Sequence, residues 1–141
     1  MSQVAQETVR IIVFSDDSTR RRQVMDALGR RVGEDGPLIE YREIATAPMA
    51  MLEIQGDTRY DLAILDGETR GLSGLGLGKM MHDEVPSDHI NADIPTINLI
   101  ARPQDEWLSR WSGAHVALPF PVEPASLIQA VEKALEKKVQ A

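Results

Sequence analysis

The chain has no cysteine and no excess of basic residues, and each of these shortages excludes a class of function. Without cysteine there is no disulfide, no thiolate-ligated metal and no thiol nucleophile. The formal net charge of −7 opposes binding to nucleic acid or to an anionic membrane surface, because both need clustered lysine and arginine. The basic run Arg20–Arg22 is interpreted as an exposed helix face.

Long apolar segments are also missing. No run approaches the roughly 18 apolar residues that a membrane-spanning helix requires. Residues 1–8 are too polar to form the apolar core of a signal peptide. We therefore expect a cytoplasmic protein without direct membrane insertion. The chain does have 43% hydrophobic residues over a length of 141, which predicts a single domain with an ordinary core and no output domain.

Short apolar runs alternate with helical patterns along the chain. Strands are predicted at 9–14, 38–44, 62–65, 94–100 and 115–118. Helices are predicted from the polar residues 16–19 to about residue 31, and at 48–55, 75–84, 104–111 and 124–138. This alternation predicts the α/β class, as a doubly wound five-stranded parallel sheet with helices on both faces.

Acidic residues follow two of the predicted strands, and Asp66 is the one that says most about function. Asp66 follows the third predicted strand, and Asp16 and Asp17 follow the first one. In an open parallel sheet, ligands bind outside the carboxyl ends of the strands, so these carboxylates should lie together. Because carboxylate oxygens suit a hard divalent cation, the sequence predicts an acidic pocket able to hold a metal ion or a phosphoryl group.

In this order the residues resemble the receiver domain of two-component response regulators, over nearly the whole chain. The likeness is carried by Asp16-Asp17, Asp66, Gly74, Ile94-Pro95, Gly113-Ala114 and Pro119-Phe120. It implies a flavodoxin-like receiver with a core of about 9–138, which is not an enzyme. It also implies that Asp66 is the candidate phosphoacceptor and that Mg²⁺ is held by Asp16, Asp17, Asp66 and the backbone carbonyl of Glu68.

The identity of the acidic pair after the first strand stays open. A register shift of one residue would put Ser15 in the first acidic position. The helical stripe that contains Met25 and Leu28 favours Asp16 and Asp17, and we prefer that register.

The residues that would read a phosphoryl group are replaced in this chain. The resemblance implies a hydroxyl at the end of the fourth strand and a lysine at the end of the fifth, but Ile100 and Leu118 stand at those positions, and His115 stands at the aromatic switch position. Losing the hydroxyl bond and the lysine pair removes on the order of 2 to 5 kcal/mol of phosphoryl stabilisation. Phosphorylation would therefore shift the conformational equilibrium of the domain only slightly.

Two tryptophans mark a candidate partner surface. Trp107 and Trp111 lie four positions apart on the predicted fourth helix, so they share one face. That face either packs on the sheet or anchors a partner, since tryptophan is enriched in binding hot spots. The segment Pro119-Phe120 would extend the surface, which consists of the predicted fourth helix, the fifth strand and the closing helix.

The leading hypothesis is a stand-alone, atypical receiver, or pseudo-receiver, that binds a protein partner or larger assembly without a phosphorylation switch. The alternative is a functional receiver that is phosphorylated at Asp66 with Mg²⁺ in a two-component phosphorelay. A small enzyme or nucleotide binder is disfavoured, because the glycine-rich segment 71–79 lacks the spacing of a phosphate-binding loop.

Overall fold

The alternating apolar runs form one parallel sheet. The computed structural model describes residues 7–68, 73–102, 107 and 116–140. Its elements follow in the order β1 Thr8–Phe14, α1 Ser18–Leu28, β2 Leu38–Ile44, α2 Ala47–Ile54, β3 Leu62–Asp66, α3 Gly74–Glu84, β4 Thr96–Ile100, β5 Val116–Pro119 and α4 Pro124–Gln140. All neighbouring strands are parallel, in the order β2-β1-β3-β4-β5.

The predicted fold class is confirmed, because helices cover both faces of this sheet. Alternate residues of a strand point to opposite faces. From β1, Ile12 and Phe14 join the core under α2 and α3, whereas Ile11 and Val13 join the core under α1 and α4. We call these sides the α2/α3 face and the α1/α4 face. Burial on both faces explains why Ile11–Phe14 of β1 and Leu62–Leu65 of β3 are continuous apolar runs.

Local capping decides where the elements end. Asp17 caps α1, since its side chain accepts hydrogen bonds from the backbone N–H groups of Thr19 and Arg20. The helix ends at Leu28 instead of near residue 31, because Gly29 leaves the helical conformation with a φ of 87°.

Two further predictions concern the carboxyl-terminal half of the sheet. The fifth strand was predicted at residues 115–118, and β5 spans Val116–Pro119, one residue later. The helix predicted at 104–111 lies outside the described residues, apart from Trp107, which is helical. Among the residues that the structure describes, no helix is both long and apolar enough to cross a membrane.

A buried amide holds the connection that leads into β3. Asn91 is 2% exposed, and its Oδ1 accepts a hydrogen bond from the Tyr60 backbone N–H at 2.8 Å. Its Nδ2 donates to the carbonyl oxygens of Ile54 and Thr58 at 2.9 and 2.8 Å. One side chain therefore satisfies three backbone groups and sets the entry into the strand that ends at Asp66.

Replacing Asn91 with alanine would leave these three backbone groups without their partner. We expect Asn91→Ala to lower the free energy of unfolding by about 3 kcal/mol, measured by equilibrium urea unfolding. Asp88→Ala is the matched control, because Asp88 is exposed and lies with Asn91 in the connection between α3 and β4. Equal effects of the two substitutions would show that the amide bonds add no net stability.

Candidate functional site

Asp66 is buried at the carboxyl edge of the sheet. It is the last residue of β3 and is 2% exposed. By strand alternation it continues the row of Leu62 and Ile64, so it points to the α1/α4 face. A buried carboxylate is costly unless hydrogen bonds and a counter-charge compensate it, so its partners define the site.

Both carboxylate oxygens of Asp66 are hydrogen-bonded within the chain. Oδ2 accepts a hydrogen bond from the Ser15 hydroxyl at 2.8 Å. Oδ1 accepts one from Arg20 Nη1 and one from the backbone N–H of Glu68, each at 2.9 Å. The charge of Asp66 is therefore balanced by a guanidinium and supported by two uncharged donors.

Arg20 reaches this carboxylate from the first turn of α1. Its side chain is 27% exposed, whereas that of Asp66 is 3% exposed, so the ion pair lies at the mouth of the site. The guanidinium carbon also lies 4.1 Å from the centroid of the Phe120 ring. A carboxylate and an aromatic face both attract a cation, and Arg20 is held between the two.

The residue after β1 whose side chain reaches Asp66 is Ser15. Ser15 is buried, whereas Asp16 and Asp17 are exposed. The Ser15 hydroxyl also accepts a hydrogen bond from the Asp17 backbone N–H at 3.1 Å. Strand alternation explains the placement, because Ser15 continues the row of Val13 on the α1/α4 face. The register with Ser15 in the first position thus describes the site better than the preferred register.

An open pocket lies over this cluster and is lined by Asp16, Asp17, Arg20, Asp66 and Glu68. The acidic residues predicted to meet at this edge do line one pocket. Within the described ranges, however, no group of three or more histidine, cysteine, aspartate or glutamate residues is placed to hold a metal ion.

The arrangement does not fit a Mg²⁺ ion as it stands. A divalent ion would need oxygen ligands that Asp66 gives to Arg20, Ser15 and the Glu68 N–H. It would also meet the positive charge of Arg20 and a hydroxyl where the resemblance implies a carboxylate. Metal coordination by Asp16, Asp17 and the Glu68 carbonyl stays a prediction.

Two glycines permit the close packing around Asp66. The Gly67 N–H donates to the Leu99 carbonyl oxygen at 2.8 Å, which joins the end of β3 to β4. A Cβ on Gly74 would lie 2.5 Å from the carbonyl oxygen of Asp66. Because Gly74 begins α3, a larger residue there would push this helix away from the strand that carries the site.

The strand ends beside Asp66 are apolar. Ile100 ends β4, is 5% exposed and has no hydroxyl to offer a phosphoryl group. Leu118 lies inside β5 and packs against the core of the α1/α4 face. Since β5 extends to Pro119, the residue that follows the strand is Phe120, and it contacts Arg20. Phe120, and not Leu118, thus lies beside Arg20, and the assignment of Leu118 to the lysine position stays a prediction.

The backbone of Phe120 takes part in a hydrogen bond and in a cis peptide bond. Its N–H donates to the Ile100 carbonyl oxygen at 2.9 Å, which continues the pairing of β4 with β5 beyond Pro119. The cis peptide bond of this region joins Phe120 to Pro121, and the Leu118–Pro119 bond is trans.

The predicted partner surface is described in part. Trp107 is 62% exposed, which disfavours packing of its ring on the sheet. Pro119 is exposed and Phe120 is half-buried. Trp111 and His115 lie outside the described residues, so the shared tryptophan face and the switch position stay predictions.

Reading Arg20–Arg22 as an exposed face missed the main charged contact of the site. Arg21 bonds the Glu43 carboxylate at 3.0 Å and the Ser15 carbonyl oxygen at 2.6 Å, and only Arg22 is exposed. The signal available in the sequence was the helix cap. With Asp17 as the cap, Arg20 falls in the first turn of α1, beside the carboxyl edge of the sheet.

Two curated relatives are similar to this chain in sequence. They are uncharacterized response regulatory proteins from two strains of Mycobacterium tuberculosis, each 42% identical over 123 residues. The matched region covers 87% of this chain and 88% of each relative. No protein-family model matches the chain.

Solved receiver structures share the fold. A CheY-like receiver domain from Methanospirillum hungatei superposes with a TM-score of 0.71 at 20% identity, covering 95% of this chain and 98% of the other. A receiver domain from Clostridium thermocellum gives 0.75 at 20% identity, covering 94% and 98%. A receiver domain of a Francisella response regulator gives 0.74 at 19% identity, covering 92% and 98%.

The hydrogen bonds and the ion pair of Asp66 should contribute to the stability of the fold. In a cluster of unpaired carboxylates, removing one charge relieves repulsion and stabilises the fold. Asp66 is paired, so we expect Asp66→Asn to lower the free energy of unfolding by about 2 kcal/mol, measured by urea unfolding. A stabilised variant would contradict this assignment.

The matched control for that substitution is Asp83→Asn. Asp83 forms an ion pair with Lys79 at 3.0 Å on α3, and its side chain is 49% exposed. Because exposed pairs of this kind contribute little, the control should change the free energy of unfolding by no more than about 0.5 kcal/mol.

Proposed function

Because the chain belongs to the response regulator family and has the receiver fold, we propose that it is an atypical, non-enzymatic receiver that acts by binding another protein without a phosphorylation switch. The observation that carries this proposal is the bonding of Asp66. The carboxylate that the family resemblance makes the phosphoacceptor is already engaged by Ser15, Arg20 and the Glu68 N–H.

Phosphoryl transfer to Asp66 would compete with these bonds. Each carboxylate oxygen has two lone pairs, and Oδ1 already accepts two hydrogen bonds. The attack would therefore displace the Arg20 pair or fall to Oδ2, which accepts the Ser15 hydroxyl. Phosphorylation would also convert the carboxylate into an acyl phosphate, which moves the negative charge from the carboxylate oxygens that hold Arg20 to the phosphoryl oxygens. This competition supports a structural role for Asp66.

The neighbouring strand ends support the same conclusion. A ligand shifts a conformational equilibrium only by its different affinity for the two states. Ile100 is buried and apolar, and Leu118, at the position where the resemblance implies an ammonium group, packs against the core of the α1/α4 face. A phosphoryl group at Asp66 would find neither partner, so its arrival would have little effect on the surface.

The proposed partner surface centres on Trp107. Its side chain is 62% exposed, and large aromatic side chains are enriched among the residues that dominate protein interfaces. The exposed Pro119 lies at the end of β5, and the half-buried Phe120 connects the surface to the Arg20 pair. These features support a protein partner for this side of the domain.

A direct test of phosphorylation uses a small acyl phosphate donor with Mg²⁺ and intact-mass measurement. We expect wild type and Asp66→Asn each to keep its own unmodified mass, because Asp66 is engaged by its partners. A mass increase of one phosphoryl group in wild type that is lost in Asp66→Asn would establish the alternative, a functional phosphoacceptor.

Partner binding is tested by pull-down from lysate with the tagged protein and quantification of a partner that wild type recovers. Truncation of an interface anchor commonly costs at least about tenfold in affinity, and we expect Trp107→Ala to reduce recovery accordingly. Leu52→Ala is the matched control, since Leu52 is a 66% exposed apolar residue on α2. Equal recovery by wild type and Trp107→Ala would argue against this surface.

A further inference from the structure

We propose that the Arg20 guanidinium is the resident cation of the acidic pocket, where it replaces a divalent metal ion and makes the pocket independent of metal. The inference deepens the proposed function and rests on it only in giving Asp66 a structural role. It assigns Arg20 as the positioning residue that keeps the buried carboxylate paired and closed to Mg²⁺.

The first support is the distribution of charge in the pocket. Asp16, Asp17 and Glu68 are exposed to water, so solvent screens their charges. Asp17 also places its carboxylate on the N-terminus of α1, where Oδ1 accepts the Thr19 N–H at 2.8 Å. Asp66 is the buried acid of the group, and a buried charge requires a counter-charge at close range. Arg20 supplies it at 2.9 Å.

The second support is that the Arg20 side chain is held at both ends. Its backbone N–H donates to Asp17 Oδ1 at 3.4 Å, within the helix cap. Its guanidinium lies between Asp66 Oδ1 and the Phe120 ring. Because the guanidinium is covalently part of the chain, it cannot dissociate from the pocket. A metal ion, in contrast, exchanges with solvent.

The third support is that, of the three consecutive arginines, Arg20 is the one that pairs with Asp66. Arg21 is engaged by Glu43 and by the Ser15 carbonyl oxygen, and Arg22 is exposed. Arg20 also connects three segments of the sheet edge, because Asp66 ends β3, Phe120 follows β5 and Arg20 itself lies on α1. This is the bridging task that a metal ion performs in an acidic pocket.

The test measures Mg²⁺ binding by isothermal titration calorimetry and the melting temperature with Mg²⁺ or EDTA. Wild type should give no binding heat and the same melting temperature in both conditions. Arg20→Gln should melt lower in EDTA, recover with Mg²⁺ and bind Mg²⁺ at least roughly tenfold more tightly, because it removes a positive charge beside the acids. Arg22→Gln removes the same charge from an exposed position of α1 and should behave as wild type.

Two results would overturn the proposal. One is a measurable heat of Mg²⁺ binding with wild type, and this result stands even if the variant does not fold. The other is a folded Arg20→Gln protein that gains no affinity for Mg²⁺. Arg20→Lys offers a further check, because it keeps the charge and should also keep Mg²⁺ out.

These outcomes are separable from those of the proposed function. Phosphorylation of wild type at Asp66 would contradict the proposed function, and it is measured by mass. A failure of Arg20→Gln to gain Mg²⁺ affinity would contradict the role of Arg20 and would leave the absence of a phosphorylation switch in place.

Discussion

The charge on Asp66 is the constraint on which the arrangement of this sheet edge depends. An ionised carboxylate that is 2% exposed must be paired, and its partners come from segments far apart in the sequence. Ser15 is placed by β1, Arg20 by the capped first turn of α1, and the ring beneath Arg20 by the end of β5. Gly74 completes the arrangement by letting α3 begin against the Asp66 carbonyl.

Much of the fold could be predicted from local patterns, because the sheet is covered on both faces. Residues 11–14 of β1 and 62–65 of β3 are continuous apolar runs, and α1 to α4 each supply an apolar stripe to one face. The ends of the elements were less predictable. They depend on single residues such as Gly29, whose positive φ ends α1 before residue 31, and on backbone pairing that extends β5 to Pro119.

The candidate site was predictable in location and less so in content. Asp66 could be placed because a polar residue after a buried strand lies at the sheet edge. A shift of one residue in a strand reverses the face to which a side chain points, so the choice between Ser15 and Asp16 required the register itself. The role of Arg20 depends on the orientation of α1 against the sheet, which is a tertiary property that a run of arginines does not reveal.

Because an arginine of the same chain neutralises Asp66, the pocket is limited in how it could take part in signalling. In a two-state switch, a ligand or modification must bind one state more favourably than the other. Here Arg20 is covalently part of the chain and already satisfies Asp66, so the pocket has its counter-charge under all conditions of metal supply. The contact between Arg20 and Phe120 would then not depend on the metal supply either. Under the proposed function, control would come from the amounts of the protein and its partner, through the mass action of binding.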